Sequence, residues 1–228
     1  MTPRVVAEWT NRVGAEYRSA ATTASLVHRA IVVGFPEPLL HTGLRIVRDE
    51  LDHAALSHDC LAILSGQDAA VPMPMGALLR PTADDLLASV VETVVRDFCL
   101  GETLAVPLFR AMHRGTQHPA VLPVLTRILA DESIHRQFGW DALDELISRD
   151  PDGVRSWVGA RLGGWLAALR DDYATPGPDA ALTGDERNAG LVSRAEYQTV
   201  FWETMNGDWL RRFRQRDIPF RAPERGSD

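Results

Sequence analysis

A short motif that occurs twice constrains this sequence most: Asp-Glu-Leu-Asp-His at residues 49–53 and Asp-Glu-Ser-Ile-His at residues 131–135. In an α-helix, residues three apart lie on one face and about 4.5 Å apart along the axis. The Glu and the His of each copy can therefore bind the same metal ion. A single Glu-x-x-His match is a weak signal, but two copies, each preceded by another glutamate at a similar distance, predict four helices around a shared site.

Proline placement and apolar spacing predict the first two helices. Residues 5–34 contain no proline and carry apolar residues at helical spacing, which predicts helix one. Pro36 and Pro38 end it, because proline disfavours helical geometry in the preceding residue and cannot continue the hydrogen-bond ladder. Helix two is expected over residues 38–65, with Gly66 as its C-terminal cap.

The next segment, residues 67–82, is rich in proline and glycine and predicts a long crossover loop. Helix three is expected to begin with Thr82 or Asp84 as its N-cap and to extend to residue 113. Pro107 lies inside this helix and should kink it, since proline removes one intrahelical hydrogen bond.

Helix four is expected from Pro119, a favourable residue for a first helical turn, to about residue 148. Two further helices are predicted over residues 152–171 and 193–214, with a loop over residues 174–190. The predicted fold class is therefore all-α: four long helices with one long middle connection, and two helices packed on their outside.

Four glutamates would meet inside such a fold. Glu50 follows Glu16 by 34 residues, and Glu132 follows Glu102 by 30 residues. Antiparallel helices of about 30 residues place residues at such separations at nearly the same height. Buried, unpaired carboxylates are costly, so the cluster requires divalent cations. Carboxylate and imidazole ligands without thiolate favour iron, with manganese as an alternative.

This pattern resembles the ferritin-like di-iron carboxylate proteins, in which four successive helices carry Glu, Glu-x-x-His, Glu and Glu-x-x-His. The resemblance covers residues 5–148. It implies a ferritin-like four-helix bundle over residues 1–150, with the long crossover between helices two and three. Residues 151–228 would form a C-terminal helical extension packed on that bundle.

The resemblance also implies a role for each candidate ligand. Two glutamates would bridge the metals, two would be terminal ligands, and two histidines would each bind one iron; these are Glu50 and Glu132, Glu16 and Glu102, and His53 and His135. In oxygen-activating members an Asp beside the ligand Glu orients a histidine of the opposite motif, a pattern that Asp49 and Asp131 match. A ligand histidine needs an acceptor for its second N–H group; an ordinary surface Asp is the alternative interpretation.

Several side chains compete for roles near this site. Glu92 could replace Glu102, although only one of the two can serve. Tyr17 could be an oxidisable residue near the iron, but it points about 100° away from Glu16. The small residues at 19–25 either allow close helix packing or leave room for a substrate. The substrate-pocket candidates, for each of which core packing is the alternative, are Ala20, Thr23, Phe98, Cys99, Thr103 and Phe109.

The function that the resemblance implies is that of a di-iron oxygenase or oxidase. Such enzymes use dioxygen to hydroxylate, desaturate, N-oxygenate or cleave a small-molecule substrate, with electrons from a ferredoxin or a flavin reductase. One alternative is bacterioferritin-like iron oxidation and storage, although about 80 residues follow helix four and would obstruct a compact cage subunit. A second alternative function is that of a tRNA hydroxylase of the same fold. The sequence is compatible with a homodimer and does not fix the oligomeric state.

Composition limits the remaining function classes. A net charge of −7 argues against a general nucleic-acid surface, and the C-terminal arginines fit a solvated helix end. Cys60 and Cys99 form no C-x-x-C motif, which favours a reducing, cytoplasmic setting. No signal-peptide pattern and no apolar run of about 18 residues is present, so we expect a cytoplasmic protein without a membrane partner. Rubrerythrin-like cysteines are absent, and a metal-free scaffold would leave six buried ionisable residues unexplained.

Overall fold

The computed structural model describes residues 2–68, 70–72, 83, 85–175 and 181–220. Within these ranges the secondary structure is helical and contains no strand, so the predicted all-α class is confirmed. No helix in the same ranges combines the length and the apolar character needed to cross a membrane.

The first two helices form an antiparallel pair. Helix α1 spans Pro3–Val32 and helix α2 spans Glu37–Ser65, within a few residues of the predicted bounds. Thr2 caps α1 by accepting a hydrogen bond from the amide of Val5. Gly66 ends α2 with φ 71°, the left-handed conformation in which a side chain would be strained, so the predicted C-cap is confirmed.

The third helical segment is continuous but not uniformly α-helical. It comprises α3 (Leu86–Thr93), a π-helical stretch (Val94–Glu102) and α4 (Thr103–Gly115). Asp85 caps α3 by accepting from the amide of Ala88 at 2.8 Å; the expected caps Thr82 and Asp84 lie outside the described residues. The sequence predicts a kink at Pro107. The π-helical stretch, which has wider turns than an α-helix, ends at Glu102 and therefore lies N-terminal to that proline.

Helix α5 (Val121–Arg149) begins two residues later than the sequence predicted. Pro119 lies in the turn before it, and the carbonyl of His118 accepts from the amides of residues 121 and 122. The His118 ring also accepts from the amide of Ala120 at 3.2 Å, so this histidine stabilises the start of the helix.

The C-terminal part has more elements than the two expected helices. Helix α6 covers Pro151–Tyr173, and a short helix α7 (Gly184–Asn188) lies in the segment expected to be a loop. The expected helix over residues 193–214 is divided into α8 (Arg194–Thr204), a second π-helical stretch (Met205–Trp209) and α9 (Leu210–Arg214). Arg221 and Arg225 of the basic C-terminus lie outside the described residues.

The contacts close a ring of four helical segments. Helix α1 packs on α2, α2 on α5, α5 on the third segment, and α3 on α1. The later helices cover this ring from outside, with α6 against α5 and α8 against α4. The indole N–H of Trp209, in the second π-helical stretch, donates to the carbonyl of Cys99 at 3.1 Å and joins the C-terminal part to the third segment.

Gly139 permits a close approach between α5 and the third segment. A Cβ atom at this position would lie 2.5 Å from Phe98 Cβ and 2.9 Å from the Phe98 carbonyl carbon. Backbone atoms cannot move aside as a flexible side chain can. This approach holds the helix of the second motif against the stretch that carries Glu102.

We therefore expect Gly139→Ala to lower the free energy of unfolding by about 3 kcal/mol, because overpacking of a tight core forces backbone shifts. Urea denaturation of the metal-free chain measures the effect. Gly163→Ala is the matched control, since nothing lies within 4 Å of a Cβ atom at Gly163 and the helix propensity of alanine should stabilise α6 by up to about 1 kcal/mol. Equal effects of the two substitutions would contradict the close approach.

Candidate metal centre

The structure brings all six predicted ligands into one cluster. Its ligand atoms form two overlapping groups, in each of which they lie within 4.8 Å of one another. The first group comprises Glu16, Glu50, His53 and Glu132, and the second comprises Glu50, Glu102, Glu132 and His135. Glu50 and Glu132 belong to both groups, so a pair of metal ions could share their carboxylates.

The cluster is largely closed to water. His53 and His135 are fully buried, Glu50 and Glu132 are 1% and 2% exposed, and Glu102 is partly buried. Burial of the four glutamate carboxylates is unfavourable unless cations or protons balance their charge. The cluster therefore needs a charge partner in its interior.

Both imidazoles present one nitrogen to the carboxylates. The Nδ1 atom of His53 lies 3.4 Å from Glu50 Oε2, and the Nδ1 atom of His135 lies 3.3 Å from Glu50 Oε1. In the described part of the chain, neither Nδ1 atom has a hydrogen-bond partner of acceptable geometry, and the same is true of His135 Nε2 and of the Oε2 atoms of Glu50 and Glu132. The buried Nδ1 nitrogens and carboxylate oxygens lie close together without hydrogen bonds. Bound divalent cations would satisfy such an arrangement, because each of these atoms can donate a lone pair to a metal ion.

The aspartate of each motif lies beside the histidine of the other motif. The distance from Asp131 Oδ2 to His53 Nε2 is 3.2 Å, and that from Asp49 Oδ2 to His135 Nε2 is 3.5 Å. An acceptor at Nε2 keeps the proton on that nitrogen and leaves Nδ1 free for a metal. The His53–Asp131 contact is a hydrogen bond, whereas Asp49 lies within ion-pair distance of His135 Nε2 without hydrogen-bond geometry. The four side chains thus form two crossed His–Asp pairs between α2 and α5.

Two arginines that the sequence analysis missed complete these pairs. Arg45 Nε donates to Asp49 at 3.3 Å, Arg127 Nε donates to Asp131, and Arg127 Nη2 lies 3.4 Å from Asp49. Burial would raise the pKa of Asp131, but hydrogen bonds from Arg127 and His53 hold it below its ordinary value. The duplicated sequence carried the signal: each arginine stands four residues before its aspartate, so the repeated motif is Arg-x-x-x-Asp-Glu-x-x-His.

Protons compete with cations for the cluster. Burial, together with the charges of Glu50 and Glu132, raises the pKa values of Glu16 and Glu102 well above the ordinary range. Burial would lower the pKa of His135, but Glu132 and Glu50 raise it to about 10. In the metal-free chain His135 therefore holds a proton at neutral pH, and Glu16 and Glu102 keep their protons to higher pH than an ordinary glutamate does. Metal binding must displace these protons.

A cavity of about 480 Å³ opens beside the four glutamates. Of the six pocket candidates, Thr23, Phe98 and Phe109 line it. Ser19 and Thr22, from the run of small residues, line it too, and the Ser19 hydroxyl donates to Glu50 Oε1 at 2.7 Å. A second cavity of about 330 Å³ shares Glu8, Asp172, Tyr173 and Tyr197 with the first.

The other three pocket candidates pack in the core and do not line this cavity. Ala20 is 4% exposed, the Cys99 thiol donates to the carbonyl of Gly139 at 3.3 Å, and the Thr103 hydroxyl accepts from the Trp140 indole at 3.0 Å. Their side chains are thus occupied by helix packing, the alternative that the sequence had left open.

The competing side chains lie apart from the cluster. Glu92 binds Arg96 and accepts from the amide of Ala83 at 3.2 Å. Tyr17 is 39% exposed on the surface. His28 and His41 are exposed as well. None of these side chains belongs to either group of potential ligand atoms within the described part of the chain.

We expect Asp131→Asn to weaken metal binding about tenfold or more, because a carboxylate acceptor both orients His53 and increases its basicity. Competition with a chromophoric chelator measures the affinity. Asp141→Asn is the control on the same helix, since Asp141 is exposed and accepts only from Gln137 in the hydrogen bonds described. Unchanged affinity in the Asp131 variant would show that the His–Asp contact has no influence on the site.

Comparisons with known proteins return no match for this chain: no family model, no curated protein and no solved structure. Functional inference therefore depends on the cluster and the cavity beside it.

Proposed function

We propose that this chain is a ferritin-like di-iron carboxylate enzyme, an oxygenase or oxidase that uses dioxygen to oxidise a small organic molecule. The observation that carries the proposal is the pair of overlapping ligand groups, which share Glu50 and Glu132 and adjoin a cavity of about 480 Å³. A cavity of this size accommodates a small organic substrate.

The donor set supports iron, with manganese as the alternative. Four carboxylates and two imidazoles without a thiolate suit these metals better than a structural zinc site. The thiol of Cys60 is a poor metal ligand, because burial raises its pKa to about 12 and keeps it protonated. When bound, a pair of such ions supplies the redox equivalents and the Lewis acidity for oxygen activation.

The protein's own groups would prepare the site for this chemistry. The hydrogen bond to Asp131 orients the His53 imidazole, Asp49 lies beside that of His135, and the Ser19 hydroxyl donates to one oxygen of Glu50. Glu16 and Glu102 border the cavity as well as the cluster, so each would hold its metal ion next to a bound substrate. External electrons would come from a ferredoxin or a flavin reductase.

Anaerobic loading with ferrous iron, followed by exposure to oxygen, tests the proposal. An enzyme of this class should retain about two irons per chain and consume oxygen without forming a mineral core. Iron content and assembly size are measured on the same sample. Hundreds of irons in a large shell would contradict the enzyme and support bacterioferritin-like storage instead.

A further inference from the structure

A buried arginine lies in the cavity one helical turn before Glu16. Arg12 lines the cavity, and its side chain is only 5% exposed. Its guanidinium lies 4.4 Å from the ring centroid of Trp9 and 5.5 Å from that of Phe109. These two rings hold the guanidinium in a defined plane beside the cavity.

The hydrogen bonds of Arg12 are incomplete. Its Nη2 atom donates to the Met112 sulfur at 3.1 Å, which is a weak acceptor, and lies 3.8 Å from Glu8 Oε1. Its Nη1 atom is buried and has no hydrogen-bond partner among the described residues. Glu8 also accepts from the Tyr197 hydroxyl at 3.3 Å. Glu8 thus offsets the charge of Arg12 without satisfying its N–H groups, and a buried unsatisfied donor is unfavourable.

Part of the cavity wall is apolar and part is charged. Phe98, Leu104, Leu108 and Phe109 face the same cavity, which also borders the metal-ligand glutamates. Arg12 and Glu16 lie on one face of α1, about 6 Å apart along the axis. A molecule held at Arg12 by one end would therefore extend past apolar side chains to the metal cluster.

We propose that the substrate is an organic acid whose carboxylate binds Arg12 and whose apolar body lies in this cavity. The planar guanidinium of Arg12 matches a carboxylate in charge and in geometry. This inference rests on the proposed enzyme function.

Binding of simple acids and their alcohol analogues tests this inference. Octanoate and 4-phenylbutyrate are titrated calorimetrically into the iron-loaded full chain without oxygen, in parallel with octanol and 4-phenylbutanol. We expect at least one acid to bind about tenfold or more tightly than its alcohol, because charge-assisted hydrogen bonds add to the apolar contacts.

Variants separate Arg12 from the metals as the carboxylate partner. Arg12→Gln should weaken binding of that acid by about 10- to 100-fold while alcohol binding changes less than about twofold, and Arg12→Lys should be intermediate. Arg18→Gln, at an exposed cavity arginine on the same helix, is the control and should retain acid binding.

Two results would overturn the inference. One is the absence of any preference for acid over alcohol in the unmodified chain, a comparison that does not depend on the folding of a variant. The other is acid binding that persists in Arg12→Gln, which would show that the carboxylate binds the metals directly. Iron content is measured throughout: a chain without iron contradicts the proposed function, whereas an iron-loaded chain without Arg12-dependent binding contradicts only the acid substrate.

Discussion

Replacement of Glu132 by alanine is expected to remove the metal pair and to lower oxygen consumption by the iron-loaded protein about 100-fold or more. Glu132 belongs to both groups of ligand atoms. One of its oxygens lies 4.0 Å from His53 Nδ1 and the other lies 3.6 Å from His135 Nδ1. The substitution therefore removes a ligand from each metal position, whereas loss of Glu16 would affect only one.

Iron content and an oxygen electrode measure this effect on the same preparation. Glu92→Ala is the matched control, because Glu92 pairs with Arg96 on the third helical segment and contributes to neither group. Both variants remove a glutamate from the same chain, but only Glu132→Ala should lose iron and oxygen consumption. Equal activity in the two variants would show that the cluster does not bind the reactive metal.

Metal loading should strongly stabilise the fold, because the ions bind the folded cluster and not the unfolded chain. At free metal about 1,000-fold above the dissociation constant, one bound ion adds about 4 kcal/mol. For a chain of this size that corresponds to roughly 8–16 °C in the melting temperature. Thermal denaturation with and without a chelator measures the difference. An unchanged melting temperature would contradict specific metal binding.

Glu102→Gln distinguishes metal binding from packing. Burial and the charge of Glu132 raise the pKa of Glu102 and so favour its protonated form in the metal-free chain, and a glutamine amide can replace the donor of that form. The metal-free variant should therefore be about as stable as the unmodified chain, within about 1 kcal/mol. Its metal-dependent stabilisation should fall by about half or more, because one ion loses a charged ligand.

The stabilisation of the unmodified chain by bound metal should increase as pH rises from 6.5 toward 10. Glu132 and Glu50 raise the pKa of His135 from 6.5 to about 10, so its proton stabilises the metal-free fold below pH 6.5 and this contribution is lost as pH approaches 10. A metal ion must displace the His135 proton to bind. Metal affinity should therefore be higher at the higher pH values, at which a smaller fraction of His135 is protonated. Melting curves across this range, with and without metal, should diverge.

Local signals were sufficient for much of the fold. Apolar spacing and proline positions predicted α1 and α2 to within a few residues, and a glycine that could adopt positive φ predicted the end of α2. The two π-helical stretches were missed because residue propensities do not distinguish i→i+5 from i→i+4 hydrogen bonding. The short helix α7 was missed since it is only five residues long.

The same limits explain the errors around the cavity. The wide turns over Val94–Glu102 change which residues share a face, so an α-helical projection misplaces Cys99 and Thr103, whose side chains pack in the core. Arg12 was missed for another reason. A lone arginine on an amphipathic helix resembles a surface residue, and its burial between Trp9 and Phe109 depends on tertiary packing.

The central claim is that this chain holds two metal ions which share the carboxylates of Glu50 and Glu132. Iron analysis combined with Mössbauer spectroscopy, after anaerobic loading and removal of loose metal, tests it most directly. We expect about two irons per chain with the magnetic coupling of a carboxylate-bridged pair after oxidation. No retained iron, or a single uncoupled iron, would contradict it.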